Sequence, residues 1–435
     1  MKTTTHDFHG PFKRSILDNG LTVLLKPMEF STAISLQVWV ECGSLYETDE
    51  NNGLSHFLEH MLFKGTEKLT GPEINAIAER LGGNQNAATS KDYTTYYVNL
   101  PPAHAEEGLE LLHQMTFRAR LPEDEFRKER NVVLSELARY HDNPSKRLWQ
   151  EVIPRLYDDH PYHRLTIGDQ KVIEQTSYEQ LIDYYDQFYV PERTTVVVAG
   201  KFTEEIVREL IQERFGSEPH GDHSTGEFSP VREPTLQQPE VITSDVGHVY
   251  ATLATTGYPV QSKQSLALDL LMQIMGSGQT SRFYENLVLK QQLATSLSGH
   301  FWSQRETGPV MIQIQMNPEQ VEKLMEGITV QAKQLLIDGI TDEEYNRALT
   351  QIKTDFIYST QTASGFANQL GYWEIIHRVE YLEEYMEALE SVGKDLLKKT
   401  AREIFAERTW ISVFLTPQGT SPQVEQHPLP VQESS

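Results

Sequence analysis

Short apolar runs alternate with amphipathic stretches from one end of the chain to the other. Leu21 to Leu25, Ala33 to Val40 and Tyr93 to Leu100 read as strands, the first entered through the turn dipeptide Asn19-Gly20. Between them, Pro72 in a first-turn position and Gly82 just past the end bracket an amphipathic helix from Pro72 to Leu81. A longer helix is predicted from about Pro122 to Tyr140, with acidic residues at its start where the helix dipole favours them. The run Thr194 to Ala199, ended by Gly200, has the character of a buried strand.

The segment 217–239 breaks this pattern. It is rich in Pro, Gly, Ser, Gln and charge, has little to bury, and is predicted to be a linker. Beyond it the same grammar returns: strand-like segments within Val241 to Thr256, a helix from Leu266 to Met275, a strand at Pro309 to Met316, helices across Pro318 to Leu336 and Thr341 to Tyr358, and a closing strand at Trp410 to Leu415. Two halves, 1–216 and 240–416, each ending on a strand, predict an α+β fold made by internal duplication. Residues 417–435 have tail composition and are expected to be disordered.

Charge and cysteine content narrow the functional classes. The 38 basic and 62 acidic residues give 38 − 62 = −24, and a surface that acidic repels nucleic-acid phosphates and anionic lipid head groups. Neither nucleic acid nor a membrane is an expected partner. The single cysteine, Cys42, excludes an intramolecular disulfide and a thiolate metal cluster, so a metal site must use His and carboxylate. No run approaches the roughly 18 apolar residues that span a bilayer. The start, Met1 to Asp7, lacks the apolar core of a signal peptide, so the chain reads as cytoplasmic unless a leader has been removed.

The run Gly53-Leu54-Ser55-His56-Phe57-Leu58-Glu59-His60-Met61 carries the strongest chemistry. On a helix, His56 and His60 share a face and Glu59 lies beside them, which is half of a zinc site in the inverted order His-x-x-Glu-His. The composition would produce such a match by chance only about 0.07 times. A catalytic zinc needs a third protein ligand. The stretch Glu129 to Leu137 offers Glu129 and Glu136, seven apart and so on one helical face. One carboxylate can bind the metal while the other holds a ligand histidine through its second nitrogen.

With both segments in view, the chain resembles the M16 (pitrilysin, insulinase and mitochondrial processing peptidase) family of zinc metalloendopeptidases. That family's His-x-x-Glu-His is followed roughly 75 residues later by a metal-binding Glu, and here 136 − 60 = 76. The resemblance implies Zn2+ held by His56, His60 and Glu136, Glu59 as general base, and Glu129 as the supporting carboxylate of the catalytic set. Gly53-Leu54-Ser55, Phe63-Lys64-Gly65-Thr66 and His160-Pro161 also match. It further implies that Gly82 to Ser90 forms an edge strand on which Asn86 and Ala87 bind an extended peptide substrate, with Ala88 leaving a roomy pocket; on its residues alone this stretch is equally an Asn/Gly turn before a strand. The fold implied is two duplicated α/β-sandwich-like domains, the first catalytic and the second lacking the zinc motif, forming half of a clam-like chamber.

The resemblance also carries a departure. Family members that work alone have an Arg and a Tyr seven apart in the second half, at the positions of Val288 and Thr295; Arg282 aligns with a different arginine. Neither Val nor Thr supplies the guanidinium or phenol, so the chain is expected to be the zinc-bearing subunit of a dimer whose homologous partner supplies the pair. The alternative is a non-catalytic assembly or scaffold subunit of an M16-type complex. Other features read as structural: His6, His9, His220 and His223 as adventitious surface histidines, Gly276-Ser277-Gly278 as a packed turn, and Cys42 as a buried small residue.

Overall fold

The β-branched and apolar runs build two mixed sheets. In this computed structural model, which describes residues 12–221, 228–235, 238–420 and 427–431, the first sheet contains β1 (Lys13–Ile16), β2 (Thr22–Pro27), β3 (Ile34–Val40), β4 (Asn84–Thr89), β5 (Thr94–Leu100) and β6 (Thr194–Gly200), in the order β1-β2-β6-β3-β5-β4. The second contains β7 (Glu240–Ser244), β8 (Val249–Thr256), β9 (Ser296–Phe301), β10 (Pro309–Met316) and β11 (Ile411–Pro417), in the order β7-β11-β8-β10-β9. Apart from β1 the two orders are the same. In each, the last strand inserts parallel to the first and antiparallel to the second. This shared topology is the structural trace of the duplication. Every residue of β3 and β6 is buried, which explains the continuous apolar run Val196 to Ala199 in β6; in β3 the polar Ser35 and Gln37 are buried as well.

Helices α1 (Leu54–Met61), α2 (Gly71–Arg80), α3 (Ala105–Phe117), α4 (Glu123–Asp142) and α5 (Pro144–Tyr157) follow β3 and β5. Contacts divide the chain into two units that do not follow the consecutive halves 1–216 and 240–416. One unit is 1–134, 166–226 and 355–382; the other is 135–165, 227–354 and 383–435. The halves have exchanged helices. The helix Ala363–Ile376 packs on β3 and β6 of the first unit, and α5 packs on β8 and β11 of the second. Gly371 permits the first contact, because a Cβ there would stand 2.2 Å from the Trp39 indole. The apolar face of a helix does not name the sheet it will cover, so this exchange was not readable from local pattern.

The start of the predicted linker belongs to the first unit. Glu218 is buried, paired with Arg118 at 2.7 Å and with His113 at 2.6 Å, while Asn19 Nδ2 donates to the Phe215 carbonyl at 2.7 Å. The expectation of a disordered tail needs a correction at His427–Val431. Leu429 is fully buried in the second unit's core, Thr329 Oγ1 donates to the Pro428 carbonyl at 2.8 Å, and the Val431 amide donates to the Phe405 carbonyl at 2.8 Å. Polar, Pro-rich composition masks two apolar residues two apart, which in an extended segment face the same way. Residues 421–426 and 432–435 lie outside the described residues. Among the described residues, no helix is long and apolar enough to cross a membrane.

If His427–Val431 is a packed element, Leu429→Ala lowers stability by about 2–5 kcal/mol, the range for emptying a buried Leu site. Urea unfolding followed by tryptophan fluorescence would register the loss as a lower midpoint.

Candidate active site

α1 has eight residues, too few to be stable alone, and its surroundings hold it. Leu54, Phe57, Leu58 and Met61 are buried, while His56, Glu59 and His60 lie half-buried on the other side. Before the first turn, Gly53 has φ 106° and meets Gly168, φ 91°; a Cβ on Gly53 would lie 2.8 Å from the Gly168 Cα. Only glycines allow that backbone approach at those angles. Glu47, fully buried, closes the helix start. Its Oε1 accepts from the Ser55 amide at 2.8 Å, and its Oε2 accepts from the Gly53 amide at 2.8 Å and from Asn52 Nδ2 at 2.7 Å. Burial pushes the Glu47 carboxyl above its usual range, opposed by these hydrogen bonds. On the far side, Phe57 stacks on Phe126 of α4 with centroids 5.0 Å apart.

The consequence is a convergence of three ligand-type side chains. One donor atom each from His56, His60 and Glu136 lie within 4.8 Å of one another, and the two imidazole centroids are 4.7 Å apart. Two imidazoles and a carboxylate fit the donor set of a zinc site that keeps a position open for water or substrate. Burial, and then the neighbouring His60, lower the His56 pKa to about 3, so His56 is in the neutral form a metal requires. Glu129, two helical turns before Glu136 on α4, is buried and accepts from His60 Nδ1 at 2.9 Å. That bond puts the proton on Nδ1 and turns the Nε2 lone pair into the metal-binding one. Lys64 Nζ stands 2.6 Å from the other oxygen of Glu129. Burial raises the Glu129 carboxyl, but hydrogen bonds from His60 and Lys64 outweigh it and the net shift is downward.

Glu59 is on the same helix, and its Oε2 accepts from the hydroxyl of Thr89, the last residue of β4. β4 is the edge strand of its sheet, so part of its backbone ladder faces away from β5. Along it Asn84, Asn86 and Ala88 are exposed, while Gln85, Ala87 and Thr89 are half-buried. Gln85 Nε2 donates to the Ile74 carbonyl of α2 at 2.6 Å, and the Leu45 amide donates to the Lys91 carbonyl in the following turn at 2.9 Å. Glu47, Lys64 and Thr89 were not singled out from sequence. A buried acid just ahead of a helix start is a signal that could have marked Glu47.

Comparison with known proteins gives the family. Residues 22–170 match the sequence family described as "Insulinase (Peptidase family M16)", and residues 175–352 match "Peptidase M16 inactive domain". The chain belongs to peptidase family M16. Two curated relatives of this M16 chain span nearly all of it. "Uncharacterized zinc protease YmxG" of Bacillus subtilis (strain 168) is 28% identical over 417 residues, 94% of this chain and 99% of its own. "Zinc protease PqqE" of Helicobacter pylori is 29% identical over 407 residues, 92% of each. The crystal structure of a protease from Helicobacter pylori superposes with a TM-score of 0.87 at 28% identity, covering 94% of this chain and 99% of that one. These relatives identify the M16 cofactor as zinc.

In the second M16 domain, Val288 is partly buried against the hydrophobic core and Thr295 is exposed, its amide donating to the Gln315 carbonyl at 2.8 Å. Arg282 is committed elsewhere: it pairs with Glu344 through Nε at 2.7 Å and Nη2 at 2.9 Å, and Nη2 also donates to the Gly339 carbonyl at 2.7 Å. Burial would raise the Glu344 carboxyl, but Arg282 and Thr341 bring it down to about 2. The thiol of Cys42 is buried beside Ser55 and Tyr184, and burial raises it to about 12, which suits a packing role. His220 Nδ1 lies 2.9 Å from Glu192; His6, His9 and His223 fall outside the described residues.

Glu129→Gln removes a charge-assisted partner from His60 and Lys64, and zinc affinity should fall about 10- to 100-fold in a chelator competition. Glu344→Gln tests the Arg282 fork by pH. A folded-state pKa lowered from 4.5 to about 2 means stability that is present above 4.5 and lost as pH falls toward 2. The variant should therefore melt below the wild type at pH 7, with the gap shrinking by pH 3.

Proposed function

We propose that this chain is a zinc-dependent endopeptidase of unfolded peptides or small polypeptides, acting as the zinc-bearing member of a dimer with a homologous partner. The observation that carries the reading is the convergence of His56, His60 and Glu136 beside Glu59. Zinc in such a site acidifies a water toward a pKa of about 7 and polarises a carbonyl. Glu59 takes the proton as the water oxygen bonds to the scissile carbonyl carbon. It then delivers that proton to the departing amine nitrogen as the C–N bond breaks, and is a carboxylate again. Glu129 keeps His60 oriented throughout. The substrate adds as an extended strand along β4, gripped by Asn86 and Ala87, with Ala88 leaving space for a large side chain.

The partner follows from what the second domain lacks. Val288 has no donor for a developing oxyanion, Thr295 offers no phenol or guanidinium, and Arg282 is engaged by Glu344 and Gly339. A homologous subunit bearing an Arg/Tyr pair supplies that stabilisation.

Glu59→Gln should retain zinc, measured by metal analysis, while cleavage of a peptide library falls by about 10²- to 10⁴-fold. Retained turnover overturns the assignment of the base. Full activity of the chain alone overturns the divided labour, and zinc binding without cleavage alongside any homologous subunit identifies a scaffold instead.

A further inference from the structure

We propose that Thr89 is a positioning residue for Glu59, and that its hydroxyl couples the edge strand β4 to the catalytic carboxylate. This deepens the peptidase reading and rests on it for the role of Glu59. The hydroxyl has one proton, and facing a carboxylate oxygen it donates. That bond engages Oε2 and fixes the plane of the Glu59 carboxylate, which backbone geometry alone leaves free to turn about its terminal torsion.

The donor is itself immobilised. Thr89 is β-branched and stiff at χ1, and it is the last residue of β4 to pair with β5, opposite Thr94. Thr94 is fully buried, donates to the Cys42 carbonyl at 2.8 Å and stands 3.4 Å from Thr89 Oγ1. The turn that follows is closed by the Ser90 amide on the Tyr93 carbonyl at 2.7 Å and is tied to the preceding loop through Leu45 and Lys91. That loop continues to Glu47, which closes the start of α1. Helix and strand are therefore referred to one short segment, Cys42 to Glu47, and the Thr89 hydroxyl spans the gap between them at the reacting carboxylate. A peptide that adds to β4 is registered against Glu59 by the same strand that orients it.

Three proteins decide the point: wild type, Thr89→Val, which keeps the branched shape without the hydroxyl, and Thr89→Ser, which keeps the hydroxyl. With the partner subunit present, Thr89→Val should lose about 10- to 100-fold in kcat, the scale of a misplaced catalytic group, with KM and zinc content near wild type. Thr89→Ser should recover most of the loss. Crystal structures of the zinc-loaded wild type and Thr89→Val should show the Glu59 carboxylate rotated away from β4 only in the variant. An unchanged kcat in Thr89→Val, an equal loss in Thr89→Ser, or an unmoved Glu59 overturns the proposal. If the wild type cleaves nothing, or Glu59→Gln remains active, the peptidase reading fails, and the crystallographic comparison still decides what Thr89 does to Glu59.

Discussion

The candidate site hangs on an eight-residue helix that cannot stand by itself. Nucleating a helix costs more than its first hydrogen bonds return, and two turns give no room to recover the deficit. α1 nevertheless has to hold two imidazoles with their centroids 4.7 Å apart and a carboxylate beside them. Its rigidity is supplied from outside. Glu47 takes up amide protons at its start, the Gly53–Gly168 contact fixes the entry angle, Phe126 stacks beneath it, and Glu129 and Thr89 hold the side chains on its exposed face. A group buried as Glu47 is must be hydrogen-bonded or it costs several kcal/mol, so the same bonds that satisfy the acid pin the helix.

The helix exchange between the halves serves the same end. α4 carries both Glu129 and Glu136, and it is continuous through the point where the chain passes from one contact unit to the other. A crossing segment could be a hinge. Here its first turns are committed to α1 through Phe126 and Glu129, so the placement of Glu136 is inherited from an unbroken hydrogen-bonded helix. The reciprocal helix, Ala363–Ile376, returns an apolar face to β3 and β6, the strands around which the first sheet is built.

How much of this was legible follows from the range of each interaction. Helix Gly71–Arg80 and strand Pro309–Met316 fall within a residue of expectation because their signals, Pro at a first turn and a short apolar run with β-branched residues at every second position, are local. The spacing of the candidate ligands was legible for the same reason, His56 and His60 being one turn apart and Glu129 and Glu136 two turns apart, and the structure adds their convergence. Spacing alone left open which acid binds His60, since both sit on one face of α4; the family resemblance pointed to Glu129, and the packing of α4 on α1 brings that residue to it. Thr89, Glu47 and the covering of each sheet depend on approaches between segments distant in sequence, and no periodicity encodes those. The tail misled because composition averages over residues, whereas Leu429 and Val431 each fill a specific gap.

The second half fills the corresponding place differently. Between β8 and β9, in the topological place α1 occupies between β3 and β4, runs the helix Lys263–Met275. Leu266, Ala267, Leu268, Leu270, Leu271 and Met272 are all buried there, whereas α1 leaves His56, Glu59 and His60 half-buried. Such a helix needs no Glu47 or Gly53 to hold it, because burial on the order of 1.5–3 kcal/mol per large side chain does so. Its start is closed by an ordinary serine cap, Ser262 to the Ser265 amide. The two copies thus hold this helix in different ways: α1 through outside partners such as Glu47 and Phe126, Lys263–Met275 through side chains buried along most of its length.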